Sequence, residues 1–250
     1  MKMIIVAAGK GMRLKPLTND RPKCMVEYNK KPIIDYILDA ANHCNINEIA
    51  VVDGYKKEVL ENYLKERSCT FFTNEDFDST NMVVSLFHAK EFMNDDLIIS
   101  YSDIVYKPAI LEKLMKSTAD FSVVVDNKWK ELWALRMDSP LEDAETMKIK
   151  NGNIVELGKK ASSYDEIEGQ YIGLMKISKS ALSKLIQFYE ALDKSKIYDG
   201  KDFNNMYMTS LIQMVIDDIM EVTPVFINGG WIEIDSVADI DAYNRKGITL

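Results

Sequence analysis

The sequence contains few of the residues that build zinc sites and disulfide frameworks. Its 250 residues include only three cysteines and two histidines, and no two cysteines form a CxxC pair. Because a structural zinc site usually combines four cysteine or histidine ligands at short spacings, we expect no zinc centre. The cysteines, Cys24, Cys44 and Cys69, are scattered and odd in number, which is typical of a reducing compartment. We therefore predict a cytoplasmic location.

The sequence also lacks an excess of positive charge and any long hydrophobic run. Lysine and arginine total 31 against 39 aspartates and glutamates, which gives a formal net charge of -8. A nucleic-acid-binding protein usually carries a basic face, so we expect no nucleic-acid partner. The apolar run behind Met1 is too short for a signal sequence, and no stretch reaches the length of a membrane span. No membrane partner is predicted.

Hydrophobic residues make up 47% of the chain, enough for one large domain with a substantial core. In the first half, strand-like and helix-like segments alternate, which predicts a parallel sheet covered by helices on both faces. The predicted strands are Lys2–Ala8, Glu48–Val52, Cys69–Phe72, Leu97–Tyr101 and Phe121–Val125. One predicted helix starts at Pro32, and the others cover Lys56–Arg67, Met82–Phe92 and Ile110–Lys116.

The second half has a different pattern. Asn151-Gly152 separates two strand-like segments, and Asn-Gly favours the positive φ angles of a type I′ hairpin turn. A strand at Tyr171–Ile177, two helices, two late strands and a closing helix follow. The sequence thus predicts a single α/β domain over residues 1–250, with a mixed central sheet and a smaller antiparallel portion.

The first predicted strand runs directly into a glycine-containing loop with five cations, AAGKGMRLKPLTNDRPK. Ligands usually bind at the carboxyl ends of parallel strands. Gly9 and Gly11 would let backbone amides approach a phosphate, and Arg13 and Lys23 would neutralise its charge. A turn with solvated cations is the simpler alternative. A dinucleotide fingerprint would need glycine where Leu14 stands, and no Gly-Lys-Ser/Thr of a Walker A loop is present.

This loop resembles the nucleotidyltransferase signature, in which Gly-x-Gly-x-Arg-Leu-x-Pro-x-Thr precedes Pro-Lys. The matching positions are Gly9, Gly11, Arg13, Leu14, Pro16, Thr18, Pro22 and Lys23. The resemblance implies a Rossmann-like fold of the GT-A type. It also implies transfer of a nucleoside monophosphate from an NTP to a phosphorylated acceptor, with release of pyrophosphate.

The same resemblance assigns roles along the chain. It makes Arg13 and Lys23 the catalytic cations, and it places Ala7 and Ala8 with the two loop glycines at the nucleotide. Residues 1–126 would mainly bind nucleotide and residues 127–230 mainly the acceptor. Residues 231–250 would close the domain with a metal-ligand motif and a helix.

Such a reaction needs a divalent cation, because both substrates are anionic. Asp103 follows the predicted strand Leu97–Tyr101, and Asp235 lies in the late acidic motif WIEID. The family has one metal-binding aspartate after a central strand and another late in the chain, so the resemblance implies Mg2+ on Asp103 and Asp235. A turn aspartate and a helix N-cap are their structural alternatives. The role of Glu233 is left open.

The resemblance spans nearly the whole chain and is strongest for cytidylyltransferases, which use CTP. Ser79, Thr80 and Asn81 occupy the segment that reads the base in that branch, although a helix N-cap would explain the same residues. Tyr55 corresponds to a turn that lines the acceptor site.

Several blocks, among them PLEDAETMKIKNGNIVELGKK, resemble cytidylyltransferases that act on phosphoglutamine in capsular phosphoramidate synthesis. The resemblance implies L-glutamine phosphate as the acceptor and a CDP-linked product for modification of capsule or surface polysaccharide. An amino acid head needs a cation for its carboxylate, for which Lys159 or Lys160 is available. Its ammonium group needs an acid, for which Glu168 or Asp165 is available.

Other acceptors and activities stay open. Tyr171, Trp129 and Trp133 would suit phosphocholine, because aromatic rings bind quaternary ammonium groups, although core packing also explains the tryptophans. Phosphoethanolamine, sugar phosphates and a guanylyltransferase activity are further alternatives. A non-catalytic nucleotide sensor would be expected to lack a loop cation or a metal carboxylate, and all are present. The oligomeric state is open, a homo-oligomer included.

Overall fold

The structure is a computed structural model that describes all 250 residues. The strands are β1 (Lys2–Val6), β2 (Glu27–Tyr28), β3 (Lys31–Pro32), β4 (Glu48–Asp53), β5 (Cys69–Thr73), β6 (Leu97–Tyr101), β7 (Ile104–Tyr106), β8 (Phe121–Asp126), β9 (Glu145–Lys150), β10 (Asn153–Lys160), β11 (Gln170–Ile177), β12 (Ile197–Tyr198), β13 (Lys201–Asp202), β14 (Thr223–Ile227) and β15 (Trp231–Glu233). The helices are α1 (Ile33–His43), α2 (Lys57–Leu64), α3 (Met82–His88), α4 (Pro108–Met115), α5 (Trp129–Arg136), α6 (Lys179–Ala191), α7 (Met208–Asp218) and α8 (Val237–Lys246). None of these helices is long and apolar enough to cross a bilayer.

One seven-stranded sheet, in the order β14-β8-β11-β6-β1-β4-β5, forms the centre of the molecule. β11 is antiparallel to its neighbours β6 and β8, and the other pairings are parallel. Val6 of β1 lies opposite Val52 of β4 and Tyr101 of β6. These three strands therefore end along one edge, where the segments that follow them meet. The predicted α/β class and mixed sheet are confirmed.

Helices cover both faces of the sheet, which explains the unbroken apolar sequence of β1. Met3 and Ile5 pack into one hydrophobic cluster with α1 and α4. Ile4 points to the other face and packs with α3, α6 and α7. Since successive side chains of a strand point to opposite faces, a strand covered on both sides is apolar throughout.

Most predicted elements are present, with differences at their ends, and several short elements were not predicted. The hairpin of β9 and β10 turns at Asn151 and Gly152, with φ angles of 54° and 84°, which confirms the predicted turn. α1 begins at Ile33, and Pro32 is its N-cap rather than a first-turn residue. The sequence did not predict α5 as a helix or the two-residue strand pairs β2–β3 and β12–β13. It also did not predict β7, whose only partner is the distant β15. The division into nucleotide, acceptor and closing parts stays a prediction.

Candidate active site

The loop after β1 passes close to Lys23, and Gly11 makes this contact possible. Gly11 has a φ of 63°, a left-handed conformation that most side chains disfavour. A Cβ atom at this position would lie 2.9 Å from Lys23 Cβ and 3.2 Å from Thr18 Cγ2. The buried Thr18 hydroxyl donates a hydrogen bond to the Gly11 carbonyl at 3.0 Å. Glycine at position 11 therefore lets Lys23 extend along the loop toward the sheet edge.

A cavity of about 300 Å³ lies between this loop, the start of α3 and the end of β6, and we call it the first cavity. Its walls include Asp103 and Asp235, the two predicted metal ligands. The other predicted residues in its walls are Ala8, Gly9, Gly11, Arg13, Lys23 and Asn81. The structure thus brings the glycine loop, both predicted catalytic cations and both aspartates around one space.

Asp103, Glu233 and Asp235 form an acidic cluster in which one carboxylate oxygen of each lies within 4.8 Å of the others. The antiparallel pairing of β7 with β15 brings them together, and the Ile234 amide donates to the Asp103 carbonyl at 2.8 Å. Burial and the nearby charge of Asp235 raise the pKa of Glu233 to about 8. Such a cluster requires compensating positive charge, because buried like charges are costly.

Both predicted catalytic cations contact this cluster. Lys23 Nζ donates to Asp103 Oδ2 at 2.7 Å and also to Asp235 Oδ1. Arg13 Nη2 lies 3.2 Å from the same Asp235 oxygen. Burial opposes the charged form of Lys23, but the two carboxylates outweigh burial and raise its pKa. Burial likewise opposes the ionised form of Asp235, yet Lys23 holds the pKa of Asp235 below its usual value.

A third cation, Arg136 at the end of α5, forms ion pairs with two acids of the cluster. Its side chain is 3% exposed and binds Glu233, Asp235 Oδ2 at 3.0 Å and Asp239 Oδ1 at 3.2 Å. Asp239 in turn accepts a hydrogen bond from the Asp235 amide at 2.9 Å. Arg136 therefore fixes one oxygen of Asp235, while Lys23 and Arg13 contact the other. The N-cap of α8 is Ser236, so Asp235 does not have the predicted alternative role of capping this helix.

The acidic cluster fits a hard divalent cation. Magnesium prefers carboxylate oxygens, and the cluster offers three carboxylates on two chain segments. Asp103 Oδ1 is buried and has no hydrogen-bond partner. A buried oxygen left without a partner costs free energy, and a bound cation would satisfy it. The donor set therefore matches a divalent metal site, and its occupation by Mg2+ stays a prediction.

A second cavity of about 230 Å³ adjoins the first, and the two share Asn81, Met82, Tyr101 and Asp235 in their walls. Its remaining walls are mainly aromatic and acidic, and no lysine or arginine lines it. The residues used below are Trp133, Glu145, Gln170, Tyr171, Thr209 and Glu233.

Gly173 of β11 shapes the wall that the two cavities share. It has a φ of 85°, and a Cβ atom there would lie 2.4 Å from Cδ2 of the Tyr101 ring. The Tyr101 ring meets Tyr171 edge-on with centroids 5.7 Å apart. Glycine is therefore required for Tyr101 to stand between the two cavities.

The polar segment predicted to read the base divides into ligand-facing and structural positions. Asn81 lines both cavities and is also the N-cap of α3, accepting a hydrogen bond from the next amide at 2.8 Å. The hydroxyls of Thr80 and Ser79 donate to the Asp76 carbonyl at 2.9 Å and 3.3 Å. Ser79, Thr80 and the buried Ala7 line neither cavity, and their nucleotide roles stay predictions.

The predicted acceptor residues are not all brought together. Tyr171 lines the second cavity. Tyr55 lines neither cavity and donates its hydroxyl to the Thr18 carbonyl at 3.0 Å, which braces the glycine loop. Three predicted residues are exposed and line neither cavity: Lys159, Lys160 and Glu168. The acceptor roles of these residues stay predictions.

Two residues in or beside the site were missed by sequence reasoning. Arg136 follows Trp129 and Trp133 at helical spacing, and both tryptophans are buried, so an arginine on the buried stripe of a helix was an available signal. Trp133 packs against Trp129 and also lines the second cavity. Glu145 carries no comparable signal, because only the folded chain places it in a cavity wall.

Comparison with protein families identifies the chain. Residues 3–191 match the MobA-like NTP transferase domain. The chain belongs to the MobA-like NTP transferase family. It is therefore a nucleotidyltransferase, and the family resemblance and enzyme class predicted from the sequence are confirmed.

Individual relatives agree with this placement. The nucleotidyltransferase is 51% identical to the CTP:phosphoglutamine cytidylyltransferase of Campylobacter jejuni, over 98% of this chain and 100% of the relative. It is 27% identical to the choline-phosphate cytidylyltransferase of Streptococcus pneumoniae, over 96% of this chain and 95% of the relative. The solved structure of CTP:phosphocholine cytidylyltransferase from Streptococcus pneumoniae has a TM-score of 0.74 at 21% identity, covering 99% of each chain. This likeness confirms the predicted fold.

Proposed function

We propose that this nucleotidyltransferase transfers CMP from CTP to L-glutamine phosphate and releases pyrophosphate. The observation that carries this choice is the 51% identity, over nearly the whole chain, to an enzyme named for CTP and phosphoglutamine. Two adjoining cavities that meet at Asp235 support it, since the reaction needs two anionic substrates side by side. We propose a cytoplasmic reaction whose CDP-linked product serves the modification of surface polysaccharide. The three free cysteines suit that compartment.

The first cavity is proposed to bind CTP. Gly9 and Gly11 leave backbone amides open to the phosphates, while Arg13 and Lys23 supply positive charge. A phosphate oxygen of the acceptor attacks the α-phosphorus in line and forms the new P–O bond. The bond from the α-phosphorus to the bridging oxygen breaks, and pyrophosphate leaves with the electron pair. The nucleophile is already anionic, so no general base is needed, and both cations stabilise the leaving group.

Asp103 and Asp235 are proposed to hold Mg2+, with Glu233 beside them. The ion would offset the repulsion between the two substrates and polarise the α-phosphoryl group. Lys23 and Arg13 both contact Asp235 Oδ1 in the ligand-free arrangement, so they share an oxygen with the proposed metal site. We therefore expect both cations to move from the carboxylates to the phosphates when nucleotide and metal bind.

The second cavity is proposed to bind the head of the acceptor, with its phosphate at the Asp235 border. No lysine or arginine lines this cavity. The acceptor carboxylate must therefore extend beyond the cavity walls if it is to pair with Lys159 or Lys160. The aromatic walls at Trp133 and Tyr171 favour phosphocholine as the second candidate acceptor.

An acceptor panel tests the proposal. Pyrophosphate release is measured with CTP, Mg2+ and equal concentrations of phosphoglutamine, phosphocholine or phosphoethanolamine. We expect phosphoglutamine to exceed phosphocholine in kcat/KM by about 10²-fold, because a site built for polar groups rejects analogues that leave its groups unpaired. Equal rates would move phosphocholine to first place, and no release with any of the three would contradict the proposal.

A further inference from the structure

The backbone of Glu145, the first residue of β9, is anchored in the wall of the second cavity. The buried Gln170 donates from Nε2 to the Glu145 carbonyl at 2.6 Å, and the Glu145 amide donates to Gln170 Oε1 at 3.2 Å. This two-way bond fixes the backbone at position 145. The fold therefore sets the backbone position from which the side chain reaches the cavity wall.

Few groups of the protein compensate the negative charge of the Glu145 carboxylate. Its one side-chain contact is a long hydrogen bond, 3.5 Å, from the Thr209 hydroxyl. No lysine, arginine or histidine forms an ion pair with it, whereas the neighbouring cavity acids Glu233 and Asp235 are both paired with Arg136. Burial raises the pKa of Glu145 to about 7. A largely buried carboxylate without a partner is destabilising, and its retention in a cavity wall points to a cationic ligand.

The rest of the second cavity also suits a positively charged group. Four acids and no base line it. The Tyr171 hydroxyl is buried in this wall and has no hydrogen-bond partner. An N–H donor in the cavity could satisfy such an oxygen, whereas a quaternary ammonium group has no N–H to offer. The combination of a carboxylate and an unpartnered hydroxyl therefore matches a primary ammonium group.

We propose that Glu145 selects the acceptor by forming an ion pair with its primary ammonium group, and that Tyr171 adds a hydrogen bond to the same group. This assignment rests on the proposed function, because it takes the second cavity as the acceptor site. It replaces Glu168 with Glu145 as the ammonium partner. The class of acceptor that follows is a phosphorylated amine, and phosphoglutamine belongs to it.

The test compares two acceptors, phosphoglutamine and an analogue in which hydrogen replaces the α-amino group. Initial rates of pyrophosphate release at saturating CTP give kcat and KM for the wild-type enzyme and for Glu145→Gln. Glu168→Gln tests the alternative partner. Glu142→Gln is the matched control, because Glu142 is exposed and lines neither cavity. Glu145→Asp provides a second variant that keeps the charge.

We expect the wild type to prefer phosphoglutamine over the deaminated analogue by about 10²-fold in kcat/KM, mostly through KM, as for loss of one partner of a buried charge pair. Glu145→Gln should reduce this preference at least about tenfold, and Glu145→Asp should retain part of it. KM for CTP should stay within about twofold in every variant. The Glu142→Gln control should keep the wild-type preference.

Failure of the proposed function and failure of this inference alone give different results. No turnover of phosphoglutamine by the wild type refutes the proposed function and this inference with it. Normal wild-type turnover with an unchanged preference in Glu145→Gln overturns the inference alone. A reduced preference in Glu168→Gln but not in Glu145→Gln returns the ammonium contact to the position predicted from the sequence.

Discussion

Glu145→Gln should stabilise the folded enzyme in a pH-dependent manner while it weakens acceptor recognition. Burial raises the pKa of Glu145 from 4.5 to about 7. At about 1.4 kcal/mol per pKa unit, ionised Glu145 lowers the free energy of unfolding by roughly 3 kcal/mol. The folded state binds this proton more tightly than the unfolded chain does, so stability falls as the pH rises from about 4.5 to about 7 and stays lower above that range. Glutamine keeps the shape and removes this dependence.

Thermal unfolding at pH 5 and pH 8, followed by circular dichroism, measures the effect. At pH 8, Glu145→Gln should raise Tm by roughly 6 to 12 °C, using about 2 to 4 °C per kcal/mol for a chain of this size. At pH 5 the gain should be less than half as large, because Glu145 is then mostly protonated in the folded state. Glu142→Gln should leave Tm unchanged at both pH values. The reasoning is refuted if Glu145→Gln gives no gain at pH 8 or the same gain at both.

Three further substitutions test the site. Lys23→Met should lower turnover by about 10²-fold. It should also tighten Mn2+ binding measured without nucleotide, because Lys23 no longer occupies the oxygens of the acidic cluster. Unchanged Mn2+ affinity would contradict the shared-oxygen arrangement. Asp103→Asn should lower turnover steeply with only partial rescue by added magnesium, and normal activity at low magnesium would exclude its role as a ligand. Gly173→Ala should lower the free energy of unfolding by about 2 to 3 kcal/mol and reduce kcat/KM for the acceptor, because the residue has a positive φ and its Cβ would meet Tyr101. Gly152→Ala, at a φ of 84° with no atom within 4 Å of its Cβ, is the control, and equal losses in the two variants would refute the Tyr101 contact.

The first cavity was the part of the site most open to prediction from the sequence. The glycine loop follows β1 directly, and the periodicity of the first half places β1 and β6 in one parallel sheet. Asp103, just beyond β6, therefore comes near Lys23 once both strands end at the same edge. Local patterns were sufficient here because short connections and parallel pairing determine the arrangement.

The second cavity was much less predictable, since it depends on contacts between distant segments. Arg136 reaches Asp235 only because α5 packs against α8, and Glu145 enters the wall only after β9 docks beside β11. The charges expected of an amino acid head directed attention to the exposed Lys159 and Glu168 instead. No periodicity shows which charged residue of a hairpin or helix end will be buried, because tertiary packing decides it.

The most direct test of the central claim follows two labels of CTP in one reaction with the wild-type enzyme, Mg2+ and phosphoglutamine. The account predicts that the α-phosphorus label appears in a CDP-linked product and the γ-phosphorus label in pyrophosphate, in equal amounts. ATP, GTP and UTP at the same concentration should give rates lower by about tenfold or more, the range of discrimination expected from base contacts in one pocket. Release of the γ label as inorganic phosphate with the α label left in CDP, or a faster reaction with another nucleotide, would contradict the assignment of a CTP-dependent cytidylyltransferase.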